Sequence, residues 1–149
     1  MPHGWTRSQV DLELLEAAGL GPATSRSGIG RLVLRRDGFI SAQAAYTGGE
    51  FTTLALRFTG DELVLNLDTS AAGEARVEIL DDLYTPIPGF TLAEADRLHT
   101  TNEINRRATW QGRADVSSLT GRPVRLRFVM RDADLYAFQF RPATAQPVQ

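Results

Sequence analysis

The 149-residue chain has no cysteine and no lysine. The first absence excludes disulfides, thiolate metal sites and a cysteine nucleophile, and it leaves the redox compartment open. The second excludes Schiff-base chemistry and the P-loop lysine, since all sixteen basic side chains are arginine. An excess of one charge is missing as well. A net charge of −2 and a pI near 5.7 leave no electrostatic footprint for nucleic acid or for an anionic membrane. Short basic runs such as Arg35-Arg36 and Arg106-Arg107 read as solvated strand faces or turn rims, because binding phosphates takes several clustered cations. No apolar run nears the roughly 18 residues of a membrane span, and the N-terminus lacks the charged, apolar, small-residue order of a signal peptide. The reading is a soluble chain whose localisation stays unknown.

Catalytic motifs are scarce too. The two histidines, His3 and His99, lie far apart, and neither sits in a metal-spaced cluster such as H-E-x-x-H. Gly28-Ile29-Gly30 is followed by no helix, so it is no dinucleotide loop. A G-x-S-x-G elbow is absent, so a hydrolase nucleophile has no support. Carboxylates are plentiful, and a glycosidase needs only two at a set separation. However, Asp81-Asp82, Asp132 with Asp134, and Asn66 with Asp68 sit where turns favour Asp and Asn for backbone reasons. The same oxygens would suit a structural calcium ion.

What is present is enough apolar residue, 42% of the chain, for one buried core. Residues 5 to 20, WTRSQVDLELLEAAGL, predict a short helix: Ser8 and Asp11 resemble a capping box, Val10, Leu14 and Ala18 share a stripe, and Gly19 and Gly21-Pro22 stop it. Residues 21 to 28 read as a linker. From Ile29 the period becomes two. Strands are expected around Leu32–Leu34, Phe39–Ala42, Phe51–Phe58, Leu63–Leu67, Ala75–Ile79 and Ile104–Trp110, and then as a pair, 123 to 130 and 135 to 140, across a turn at Arg131-Asp132-Ala133-Asp134. Tyr136, Phe138 and Phe140 should share the buried face of the last strand, with Tyr136 at its margin. Prolines keep Asp81 to Phe90 out of a central strand, and Thr91 with Glu94 could cap one helical turn. Short alternating strands between Gly, Asp and Pro turns imply an all-β fold, an antiparallel β-sandwich with a short N-terminal helix.

The polar segment from Leu83 to Asn105, together with Trp110, holds the candidate site: Tyr84, Asp96, His99, Asn102, Glu103 and Trp110. A sugar site needs an exposed ring with polar side chains beside it to hold hydroxyls. The same composition equally suits a long solvated loop.

The segments GIGRLVLRRDGFISAQA, DELVLNLDTSAAGEARVEILD, PIPGFTLAEAD and WQGRADVSSLTGRPVRLRFVMRDADLYAFQF resemble the C-terminal β-sandwich that follows a five-bladed β-propeller in bacterial glycoside hydrolase-like proteins. The likeness covers residues 28 to 140. It implies a jelly-roll module at 28–142, preceded by a helix and linker at 1–27 and followed by a flexible tail at 143–149. It further implies a noncatalytic accessory role, either binding carbohydrate or supporting a catalytic propeller domain, which this chain does not contain. Two alternatives remain open: a structural module that self-associates into a homo-oligomer, and a small glycosidase using paired carboxylates.

Overall fold

The computed structural model describes residues 33 to 143. The expected helix at 5–20, the linker and most of the tail lie outside these residues. Six strands form one antiparallel sheet: β1 (Ala42–Ala44), β2 (Gly49–Thr52), β3 (Glu62–Asp81), β4 (Leu98–His99), β5 (Asn102–Arg107) and β6 (Val124–Arg141). The all-β expectation holds, and the sheet curls into a half-barrel.

Two long strands carry the architecture. β3 and β6 pair antiparallel over their whole lengths, from Glu62 opposite Arg141 to Asp81 opposite Val124. β1 and β2 run along the far side of β6, and β4 and β5 along the far side of β3. The sheet is therefore four strands wide.

A straight strand of twenty residues would reach roughly 66 Å at ~3.3 Å per residue, far beyond the width of a domain this size. Irregularities bend it instead. The register between β3 and β6 shifts at Asn66/Leu67 and again between Thr69 and Glu74, where Ser70, Ala71 and Ala72 loop out into solvent. At the second shift Asp132 adopts φ 46°, and its N–H turns aside to the Ala45 carbonyl at 3.1 Å. Gly73 passes close against it. A side chain there would sit 2.1 Å from the Asp132 carbonyl oxygen, so only glycine permits the approach.

This geometry corrects two expectations. Leu63–Leu67 and Ala75–Ile79 are arms of one kinked strand, not two separate strands. Likewise Arg131-Asp132-Ala133-Asp134 is a bulge inside β6, not a hairpin turn, because β3 on one side and β1 on the other hold the chain extended through it. The bulges also move the aromatic row. Leu135 takes the core face opposite Leu67, while Tyr136, which has no partner in the register, is displaced and lies beneath the Arg35 guanidinium at 4.9 Å.

The core lies on the sheet's inner face. Leu63, Leu65, Leu67, Ala75, Val77 and Ile79 of β3 meet Val124, Leu126, Phe128, Met130, Ala133 and Leu135 of β6, all buried. Phe51 stacks on Phe128 at 5.0 Å, directly across β2 and β6. Segments after β3 and β5 close this face with Ile87, Phe90, Trp110, Val116 and Leu119. On the outer face, Glu62 is buried and meets Arg107 at 3.3 Å and Arg141 at 3.6 Å, so its charge is compensated.

Candidate functional site

The six candidate residues follow one flank of the sheet, and the fold does not gather them. His99 lies opposite Glu74, Asn102 opposite Asp68 and Glu103 opposite Leu67, whereas Tyr84 sits beyond the far end of β3 at Asp81. The expected long loop is shorter than its composition implies, since β4 and the first four residues of β5 fall within 83–105. Pairing with β3 satisfies backbone groups that an exposed loop would leave to water.

Tyr84 occupies the tight turn after β3. Asp81 Oδ1 accepts the N–H groups of Leu83 at 2.9 Å and Thr85 at 2.8 Å, which holds Tyr84 at φ 65° with its side chain exposed. One face of its ring is taken by the Arg125 guanidinium, 4.1 Å from the centroid.

Asp96 is committed to the chain itself. Its Oδ2 accepts the Gly112 N–H at 2.8 Å, and it steadies the turn in which Gln111 (φ 51°) and Gly112 (φ 76°) are left-handed. Hydrogen bonds, first from the Thr109 hydroxyl and then from that amide, hold its carboxyl below the usual value. Glu94 behaves alike. Its Oε2 accepts from the Thr91 hydroxyl at 2.8 Å, from the Gly89 N–H at 2.9 Å and from the Thr91 N–H at 3.2 Å, so the Thr91–Glu94 cap forms and the Glu94 pKa is lowered, chiefly by the hydroxyl.

Trp110 is placed where the sugar-site expectation does not want it. Its ring is buried at 1% exposure, edge-on to Phe90 at 5.2 Å, and its indole N–H donates to the Val77 carbonyl at 2.8 Å. The ring that looked available for stacking is a core anchor, because the chain leaving β5 folds back over the inner face. His99 is exposed, with Nδ1 3.3 Å from the Thr100 hydroxyl. Glu103 Oε1 accepts from the Thr101 hydroxyl at 3.0 Å and pairs with Arg106 at 3.2 Å.

Asn102 belongs to a cluster that the composition did not reveal. Its Oδ1 and that of Asn66 both accept from the Arg35 guanidinium, which also donates to the Leu67 carbonyl at 3.1 Å and the Glu103 carbonyl at 2.6 Å. Arg35 is thus a clamp over β3 and β5 with a side chain only 18% exposed, not a solvated rim. Buried Asn66 completes it by donating to the Arg36 carbonyl at 2.6 Å. A polar Asn at a core-strand position was the signal for this partner.

A second unforeseen network spans the other flank. Arg127 donates to Glu78 at 3.1 Å and to Glu50 at 2.7 Å, and buried Glu78 also accepts the Leu92 N–H at 3.0 Å. Both carboxylates raise the Arg127 pKa, led by Glu50. Two of the turn carboxylates named for calcium are engaged within the chain: Ser70 donates to Asp132, and Ser41 to Asp134 at 2.7 Å. Among the described residues no three His, Asp or Glu side chains stand together as a metal site.

One cleft of about 310 Å³ opens beside the buried tryptophan, lined by Pro88-Gly89, Phe90, Trp110, Arg113 and Asp115. Arg113 and Asp115 are exposed at it. Asp115 accepts the Ser117 N–H at 2.8 Å and is held below the usual carboxylate value, first by the Ser117 hydroxyl. Arg113 lies one turn beyond Trp110 and carried no sequence signal. Compared with known protein families, curated proteins and solved structures, the chain shows no significant match.

Proposed function

We propose that this chain is a noncatalytic accessory β-module, of jelly-roll sandwich type, that supports a glycoside hydrolase-like catalytic domain. The observation that carries the reading is where the candidate polar groups go. Asp81, Glu94, Asp96 and Glu103 each accept hydrogen bonds from their own chain, and Trp110 is packed inside. A general acid for glycoside hydrolysis needs a raised carboxyl pKa, whereas Glu94, Asp96 and Asp115 are all lowered. The kinks that divide β3 and β6 into two arms support the sandwich reading, since each long strand can then contribute to both walls.

A second reading, carbohydrate binding, is favoured by the cleft at Phe90, Arg113 and Asp115. An aromatic wall beside a guanidinium donor and a carboxylate acceptor suits a vicinal diol. Calorimetric titration with arabino-, xylo- and fructo-oligosaccharides at millimolar concentration separates the two. No heat of binding, together with co-purification of a propeller-bearing polypeptide, is the result expected for the support role. Binding that disappears in Arg113→Ala would put carbohydrate recognition in its place.

A further inference from the structure

Among the described residues, β6 is the only strand beside β1, so the outer side of β1 presents unpaired backbone groups. Edge strands are normally guarded by charge, proline or a bulge. Residues 38 to 49, GFISAQAAYTGG, contain no charged side chain and no proline. Among the described residues, only the shortness of β1 guards it. Large apolar side chains stand open beside it: Phe39 is 85% exposed, Ile40 82%, and Tyr46, with the Arg131 guanidinium 5.8 Å from its ring, 67%. Next to them runs a groove of about 500 Å³ lined by Ile40, Ala42, Phe51, Leu135, Tyr136 and Phe138. Apolar groups gathered on one rim mark an interaction surface, where scattered ones would not.

We propose that β1 pairs antiparallel with β1 of a second copy of this chain, about a two-fold axis through Gln43. The charge pattern selects this occupant. An uncharged edge meets no like-charge repulsion when it faces itself, and it offers nothing to hold the register of a charged partner strand. Antiparallel self-pairing also closes, so one surface supplies both sides and growth stops at two copies. With exposed Gln43 on the axis, Ala42 faces the partner's Ala44, and Ile40 is carried toward the partner's Tyr46 at the rim of the apolar groove. The three-residue strand sets the register, and covering Phe39 and Ile40 supplies most of the driving force.

Sedimentation of the full chain across a micromolar concentration series tests this. The expected result is a reversible monomer–dimer equilibrium. Gln43→Arg and Gln43→Asp each place like charges together on the axis, and each should weaken dimerisation roughly tenfold or more. An equimolar mixture of the two variants should restore it, because opposite charges then meet. Far-UV circular dichroism spectra that match the parent chain's show that both variants still fold. A chain that stays monomeric, a dimer indifferent to both variants, or a mixture that fails to recover would each overturn the proposal. Failure of the sugar or propeller experiments leaves it untouched.

Discussion

The two edges of the sheet are built differently. Along β4 and β5, Arg97 pairs with Glu74, Arg106 with Glu103 and Arg107 with buried Glu62, while Arg35 ties Asn102 and the Glu103 carbonyl to the sheet. Along β1 and β2, Glu50 alone is charged, and it leans inward to Arg127. Both edges carry the same antiparallel backbone pattern, so hydrogen bonding does not distinguish them. What separates them is side-chain charge: one edge would bring fixed charges against any incoming strand, and the other exposes apolar groups to it.

Removing the deepest anchor of the charged flank should have the largest effect. Trp110→Ala opens a cavity and orphans the Val77 carbonyl, for an expected loss of about 3–5 kcal/mol in denaturant unfolding. Hydrogen exchange sharpens the result: amides of Asn102–Arg107 should lose protection before those of Gly49–Thr52. Simultaneous loss would show that the two flanks open as one cooperative unit.

The counterpart on the other flank is Glu78. Glu78→Ala leaves Arg127 with Glu50 alone and strands the Leu92 N–H, and should cost about 1–3 kcal/mol by the same measurement. Glu50→Ala removes only the exposed end of that network and should stay within ~1 kcal/mol. Equal effects of the two would mean that burial does not set the strength of this network.

Stripping the guard is a subtler perturbation. The double variant Glu103→Thr, Arg106→Thr should change unfolding stability by no more than ~1 kcal/mol, yet raise concentration-dependent association in light scattering. Unaltered scattering would break the comparison, because charge would then not be what keeps that edge single.

The smallest effect is expected from pH. Glu94, Asp96 and Asp115 have folded pKa values below their ordinary 4.5, 3.8 and 3.8. Depressed folded values stabilise the fold at pH above those ordinary values, and the contribution is lost as pH falls through them toward the folded ones. Thermal melting should therefore hold steady near neutrality and begin to drop below pH 4.5. Asp96→Asn, which can still accept from Gly112, should flatten part of that drop.

The period-two patterns at Leu63–Leu67, Ala75–Ile79 and Val124–Met130 were readable because alternation reports one buried face directly. Asn66 with Asp68 and the Asp132–Asp134 run read as turns. A wide bulge and a turn use the same residues, and only the neighbouring strands decide between them. Asp96 and Glu103 looked available for a ligand because composition records donors and acceptors without showing which backbone amides compete for them. Trp110 looked equally available as a large ring beside Gln111-Gly112, until the chain folded back across the core. In the sequence Arg35 reads with Arg36 as a solvated rim, although Asn66, an amide on a core strand, already requires a partner.

The sequence by itself determined that the chain is all-β, with its apolar residues on alternating faces and no thiol or lysine chemistry. Alternation and absence are local properties, read one residue at a time. Only the tertiary structure decided that β3 and β6 are single kinked strands, that Trp110 belongs to the core, and that one edge is guarded by charge while the other is not. Those outcomes depend on which distant segment arrives beside each residue, and burial, hydrogen-bond satisfaction and charge pairing take their values only then.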